Sequence, residues 1–390
     1  MERPAGSAKL LRGLNTSAVL SHLLNRGPMT RADIRELTGL SKPTTGDVLR
    51  SLVSADLAVV TGHTSGGPGP NAEIYATNPD GAFAAALSVR ETDARPEISL
   101  AIVDLVGTIR TRTQISVDLA TEDPAATLAN ALMELCKESD IPLERVRHTH
   151  IAVPGSYDHT TDTIRHVDVP GLDRPGLVTS MRRTLGAPVA VDNDVNLAAI
   201  AERRRGVASG AETFALLWLD HGLGLAIDLG GSLLRGARGG AGEIGYMPLG
   251  LPAHRTLRYE NNDLDGILAG PAVLTLAAEH GVVATNPHDA VRSGGAAFIA
   301  DLAQRVAVGV AAVVAVLDPD LVVLAGTVAQ AGGARLRDAV AIAIRTASPL
   351  EAQIATTAVT DDAVLLGAVD AGLGAVREDL IRAVQDSNAH

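Results

Sequence analysis

Residues 31–57 hold a short helix, a glycine-centred turn and a second helix, and that spacing commits the N-terminal part of the chain to a helix-turn-helix. Ile34 and Leu37 give the first helix an apolar face, Gly39 and Leu40 make the turn, and Ser41 caps the second helix with Pro43 tolerated in its first turn. Val48, Leu49, Leu52 and Val53 recur at helical spacing and are expected to point inward. That leaves Lys42, Thr44, Thr45, Asp47 and Arg50 to face a DNA groove. Residues 58–62 and 72–77 look like two strands joined by a Gly/Pro-rich tip at 65–71, which predicts a winged helix ending near residue 79. The alternative is a small helical hairpin with no ligand.

The charge is uneven, and it separates this head from the rest. Residues 1–78 hold 8 Lys/Arg and 6 Asp/Glu, whereas the remainder holds 25 and 39 within a net charge of −12. Only the head suits a polyanion such as double-stranded DNA. At 390 residues the chain divides into two or three units, and with aromatics at 2% its core must be built from Ala, Val, Leu and Ile. The single cysteine, Cys136, excludes an internal disulfide and a multi-cysteine metal site and fits a reducing, cytoplasmic setting. The first residues lack an apolar leader, and the longest apolar run, 306–317, stops at Asp318-Pro319-Asp320 before it could span a bilayer, so no membrane association is expected.

Beyond residue 79 the pattern changes. Runs at 82–89, 97–104 and 108–117 read as an antiparallel meander, followed by a helix over 124–139 with Leu128, Leu132 and Leu135 on one side. A strand at 148–153 ends in Pro154-Gly155-Ser156, and one at 189–191 ends in Asp192-Asn193-Asp194. The second half repeats this logic. A hairpin over 214–219 and 223–228 precedes a Gly-rich stretch at 235–245, helices near 271–280 and 288–316, a strand at 321–324 and a helix from Ala334. Two such copies predict an α/β body of two lobes, roughly 80–195 and 196–390, with ligand chemistry in a cleft between them.

Asp194, at a strand end opening into a helix, is placed to accept hydrogen bonds from ligand hydroxyls or to deprotonate one. Gly239-Gly-Ala-Gly242-Glu243-Ile-Gly245-Tyr246 is a close-approach loop presenting Glu243. Either feature alone reads as readily as a helix cap or a plain turn. Together with Val153-Pro-Gly-Ser156 and Asp318-Pro-Asp-Leu-Val-Val-Leu-Ala-Gly326, in this order and spacing, they are specific. His148 and His150 share one strand face without a third ligand and read as structural.

On these motifs the chain resembles the ROK family of repressors, open reading frames and kinases over nearly its whole length. The resemblance implies an N-terminal winged helix followed by a two-lobed actin/sugar-kinase-like (ribonuclease H-like) fold. It implies that Asn193 and Asp194 hold sugar hydroxyls, with Asp194 at the kinases' catalytic base position. Gly155, Ser156, Glu243, Tyr246 and Asp265 would complete the pocket.

The departures shape the functional expectation. The family's zinc site uses a His in Gly-Glu-x-Gly-His followed by three cysteines; here Tyr246 stands at the His and no Cys follows, so no zinc is expected. The family's next acidic ligand, a Glu after Leu, matches Asp265 after Leu264. The first phosphate turn is Val89-Arg90-Glu91-Thr92-Asp93, with acids and no glycine, and the second, Gly-Thr-Gly-x-Gly in kinases, is Asp220-His221-Gly222-Leu223-Gly224. Backbone amides and glycine flexibility are what cradle phosphate, so neither kinase activity nor a nucleotide cofactor is expected. At the wing the family often has Gly-Arg-Gly-Arg-Pro; Gly67-Pro68-Gly69-Pro70-Asn71 lacks both cations, shifting DNA contact onto Arg31, Ser41, Lys42, Thr44, Thr45 and Arg50, with His63 able to touch a phosphate.

The resulting expectation is a cytoplasmic transcription regulator, not an enzyme. It binds operator DNA and senses a small polar, carbohydrate-related effector. It works as a homo-oligomer, dimer or tetramer, through helices near 288–316 and 334–347. Two rivals stand beside it: a sugar kinase with a DNA-binding head, and a ligand-blind regulator with a vestigial pocket.

Overall fold

The computed structural model describes residues 5–64, 72–91, 95–167, 169–250, 263–347, 349 and 351–386. The expected wing tip at 65–71 lies outside them, as do Thr92 and Asp93 of the first phosphate turn. The chain forms two compact units, one of Met1–Ile151, Gly176–Val191 and Ala368–His390, the other of Ala152–Pro175 and Asp192–Gly367.

The first unit opens with three helices, Ala5–Arg26, Arg31–Thr38 and Lys42–Ser54, and a small antiparallel sheet. In that sheet Glu73–Thr77 lies between Met29–Thr30 and Ala58–His63. Thr30 and Asp33 form a reciprocal capping box that starts the helix Arg31–Thr38, and Gly39, at φ +68°, ends it. Val19, Leu20, Leu23, Ile34, Val48, Leu49 and Leu52 fill the core beneath. Val53, expected inward, is exposed. Arg145 ties this head down through Asp56, at 3.0 Å, and the Asp80 carbonyl, at 2.5 Å.

The meander follows as Phe83–Arg90, Glu97–Asp104 and Ile109–Ser116, in antiparallel register from Phe83 opposite Asp104 to Arg90 opposite Glu97. Val146–Val153 and Val189–Asn193 complete a five-stranded sheet in the order third, second, first, fourth, fifth. The second unit repeats that order with Thr213–Leu219, Leu223–Leu229, Ser232–Leu233, Leu321–Ala325 and Ile354–Thr356. There the first three strands are antiparallel and the last two join in parallel. Each strand triplet feeding crossover helices is the ribonuclease H-like arrangement, and the duplication makes the body sugar-kinase-like.

In the second unit, Phe298, Leu302, Val306 and Val310 of the helix Ala296–Leu317 pack with Leu217, Leu324 and Leu336 in one apolar core. The segment 288–316, expected as helix, breaks at Gly294-Gly295 into Pro287–Ser293 and Ala296–Leu317. The second piece is long and apolar enough to cross a membrane by composition, but it buries one side in that core. The last helix, Ala363–Asp386, starts in the second unit and ends in the first. Its Gly367 lies so close to the Leu197 carbonyl that a Cβ there would stand 1.8 Å from the oxygen. At the other end Gln385 donates to Ser17 Oγ of the first helix at 3.2 Å.

Candidate functional site

The exposed face of Lys42–Ser54 begins at its cap. Ser41 Oγ accepts from the Thr44 amide at 3.3 Å, and its side chain, with those of Lys42, Asp47 and Arg50, is solvent-exposed. Thr44 is half-buried beside Ser41, and Arg50 pairs with Asp47 one turn back. Thr45 does not belong to this face. It is fully buried and its hydroxyl donates to the Ser41 carbonyl at 3.0 Å, so helical rotation turns it into the core and away from any groove. Arg31 is half-exposed, but its guanidinium donates to Glu73 at 2.6 Å and to the Tyr75 hydroxyl, bracing the helix against the neighbouring strand. His63 is exposed at the end of its strand, opposite Glu73.

All seven candidate pocket residues fall within the second unit. Asn193 caps the helix Asp194–Arg205: its Oδ1 accepts from Val195 at 2.9 Å and Asn196 at 3.2 Å, while its Nδ2 reaches the Gly155 carbonyl at 3.3 Å. Ser156, nearly fully buried, donates to Glu243 Oε1. Those bonds bring Gly155, Ser156, Asn193 and Glu243 together across 88 positions of sequence. Glu243 is held by Gly242, at φ +94°, where a Cβ would meet the Leu225 carbonyl at 1.9 Å; no other residue permits this approach. Asp265 lies against Gly245, with its Oδ1 3.4 Å from where a Cβ there would stand.

Asp194 bends back to the Val195 amide at 2.8 Å. Burial pushes its carboxyl from 3.8 up to about 7, opposed by the Val195 amide and reinforced by the negative charges of Glu243 and Asp220. A carboxyl balanced there near neutrality accepts a hydrogen bond from a ligand hydroxyl when ionised and gains strongly from any group that neutralises it. Beside it Asp192 is clamped by Arg235 through two bonds of 2.6 and 2.9 Å.

Four residues of this site owe their placement to contacts that carry no local signal in the sequence. Asp220 turns onto the start of Gly326–Ala347, two helical pieces joined by a kink at Gly333, where it accepts from the Thr327 hydroxyl at 2.8 Å and the Thr327 amide at 3.3 Å, and also from the His221 amide at 2.9 Å. His166, at φ +53°, sets its ring 5.5 Å from that of Tyr246, with Nδ1 3.5 Å from the phenol oxygen. Arg235 and Asn196 are the others. The carboxylate of Asp220 is visible in the sequence, but its partner lies 107 residues away and carries no local signal.

The donor set for a zinc ion of the family type is not here: Tyr246 offers a phenol, and Cys136 is buried in the helix Pro124–Glu138 of the first unit. Among the described residues no group of three or more His, Cys, Asp or Glu is arranged to hold a metal.

Residues 95–371 match the ROK family, well over half of the chain. The chain belongs to the ROK family. Over 160 residues this ROK chain is 36% identical to the bifunctional enzyme NanE/NanK of Brucella suis biovar 1 (strain 1330), covering 39% of the chain and 29% of that enzyme. It is 24% identical over 255 residues to the xylose repressor of Bacillus subtilis (strain 168), covering 61% of each. The matched stretches thus span less than a third of the enzyme and less than two thirds of the repressor. In fold it resembles a ROK family transcriptional regulator described as a homolog of the E. coli MLC protein, with a TM-score of 0.73 at 20% identity, over 97% of this chain and 99% of that one.

Proposed function

We propose that this ROK chain is a DNA-binding transcription regulator, a repressor, and not a sugar kinase. In this reading residues 1–79 are a winged helix that binds operator DNA through Ser41, Lys42, Thr44 and Arg50, with Arg31 and His63 at its edge. Residues 80–390 sense a sugar or sugar-derived molecule held by Gly155, Ser156, Asn193, Asp194, Glu243, Tyr246 and Asp265, with no metal. The observation that carries it is Asp220. Kinases of this fold hold nucleotide phosphate on the second glycine loop and its neighbouring amides. In this chain a carboxylate already takes the amide and hydroxyl of Thr327, so phosphate there meets a like charge where those two donors are occupied.

The regulator works in the cytoplasm as a homo-oligomer, because one reading helix covers only a half-site. Val308, Val316 and Ile342, apolar side chains exposed on Ala296–Leu317 and Gly326–Ala347, support an interface on those helices. Ligand binding shifts DNA affinity by favouring one arrangement of the readers. The kinase reading keeps one point in its favour, a base-like Asp194 titrating at about 7.

The test begins with sequencing of genomic fragments captured by the purified protein, followed by binding titrations on the operator found. Lys42→Ala and Arg50→Ala are each expected to weaken binding by roughly tenfold. Lys42→Ala should also reduce the slope of log affinity against log salt by about one. Wild-type affinity in both variants would remove the groove assignment, and sugar-dependent ATP turnover in a coupled assay would restore the kinase.

A further inference from the structure

Residues 77–82 join the N-terminal head to the strands that follow, and within the first unit both sides of that joint close onto Asp56. Asp56 stands just past the end of the helix Lys42–Ser54, where its φ of +60° is the left-handed conformation that glycine commonly supplies at a helix end. An aspartate there carries some backbone cost, and its carboxylate is used. Oδ1 accepts from Asn78 Nδ2 at 2.8 Å and Oδ2 pairs with Arg145 Nη1 at 3.0 Å, while the Asp56 carbonyl accepts from the same Asn78 nitrogen at 2.9 Å.

The linker is held on its other faces as well. The Asn78 amide donates to the Leu57 carbonyl at 3.0 Å, and the residue is buried. A Cβ on Gly81 would stand 2.6 Å from the Asp56 carbonyl oxygen, so the chain passes the end of the reading helix at a distance that only glycine allows. From the sheet side the Leu105 amide donates to the Pro79 carbonyl at 3.2 Å, Arg110 reaches the Asp80 carboxylate at 2.6 Å, and Arg145 reaches the Asp80 carbonyl at 2.5 Å. Arg145 therefore bridges both sides. It closes the turn Leu143–Arg145 that leads into the strand Val146–Val153, and its guanidinium holds the end of the reading helix together with the linker.

An exposed ion pair contributes little to fold stability. Placed between a reading helix and the body that carries it, the same pair removes freedom from the angle between them. That angle matters to a protein that sets two readers on one duplex, because both engage only when their separation matches the half-sites. We propose, resting on the regulator reading above, that Asp56 and Arg145 are positioning residues: they fix the angle of Lys42–Ser54 against the body of the first unit, and with it the spacing of operator half-sites that a pair of chains accepts.

The first measurement is a distance within one chain. Spin labels on Glu36→Cys in the head and Glu134→Cys on the helix Pro124–Glu138, both exposed positions, are introduced in a Cys136→Ala background and diluted with unlabelled chain for pulsed dipolar spectroscopy. One narrow distance distribution is expected. Arg145→Ala, and Asp56→Asn, which keeps an oxygen for Asn78, should each roughly double its width, and Arg145→Lys should restore it. A broad wild-type distribution, or variants as narrow as wild type, overturns the positioning role whatever the protein binds. The second measurement uses the operator found by fragment capture, with about five base pairs, half a helical turn, inserted between its half-sites. Wild type should lose roughly tenfold or more in affinity and Arg145→Ala less than about threefold. Equal penalties overturn the spacing claim and leave the regulator reading standing, whereas capture of no fragment overturns the regulator reading and the spacing claim with it.

Discussion

Asp194→Asn is expected to raise the melting temperature by several degrees at pH 8 and to leave it nearly unchanged at pH 4. The folded state holds the Asp194 proton up to about pH 7, whereas the unfolded chain releases it at about the usual 3.8. Between those values the folded state binds more protons, so its stability falls as pH rises through the window and stays low above it. The loss amounts to on the order of 4 kcal/mol at pH 8. Asparagine keeps an oxygen for the Val195 amide and never ionises, so it removes that loss without breaking the bond. Thermal melts of both proteins from pH 4 to 8 provide the check; parallel curves would mean that the carboxylate is not strained. The same variant should weaken effector response, because a charge-assisted acceptor becomes a neutral one, by about tenfold or more. Stability gained where ligand affinity is lost marks a residue kept for binding.

Much of this architecture is legible in the sequence because its signals are local. Gly39, Ser41 and Pro43 announce the turn and second helix of the N-terminal head, and the apolar runs after residue 79 give eight of the ten strands of the two five-stranded sheets, missing the short Ser232–Leu233 and Ile354–Thr356. The elements that escape are those whose local signals contradict their packing. The last helix, Ala363–Asp386, contains Gly367, Gly372 and Gly374, which read as breaks. Gly367 is there because the Leu197 carbonyl leaves no room for a side chain. Helical periodicity alone assigned Thr45 to the groove, but its position one turn from Ser41 lets the hydroxyl bond the backbone and the methyl enter the core. The motifs single out Asn193, Asp194 and Glu243 as candidates, since strand ends and glycine loops are local. Pairings such as Asp220 with Thr327 or His166 with Tyr246 arise only when distant segments meet.

His148→Leu is expected to act in the opposite direction from Asp194→Asn, protecting the fold against acid. Both ring nitrogens of His148 are buried without a hydrogen-bond partner among the described residues. Burial first, then the neighbouring His150, lower its pKa from 6.5 to about 4, with Asp379 pulling the other way and Arg182 adding to the lowering. Below 6.5 the unfolded chain takes a proton that the folded state refuses until about pH 4, so stability falls as pH drops through that window. The loss reaches about 3 kcal/mol by pH 4. Leucine fills a similar volume, breaks no hydrogen bond and should cost little at pH 8. Because Asp194 gains stability over nearly the same window as His148 loses it, the two largely offset one another in the wild type. Its urea midpoint should therefore vary little from pH 6.5 to 4. Asp194→Asn should tilt that profile downward toward acid, and His148→Leu should tilt it upward. The residues lie in different units and share no partner, so when the chain unfolds in a single transition the double variant should be nearly flat again. A His148→Leu profile parallel to wild type would show that the imidazole already finds a proton acceptor in the folded state.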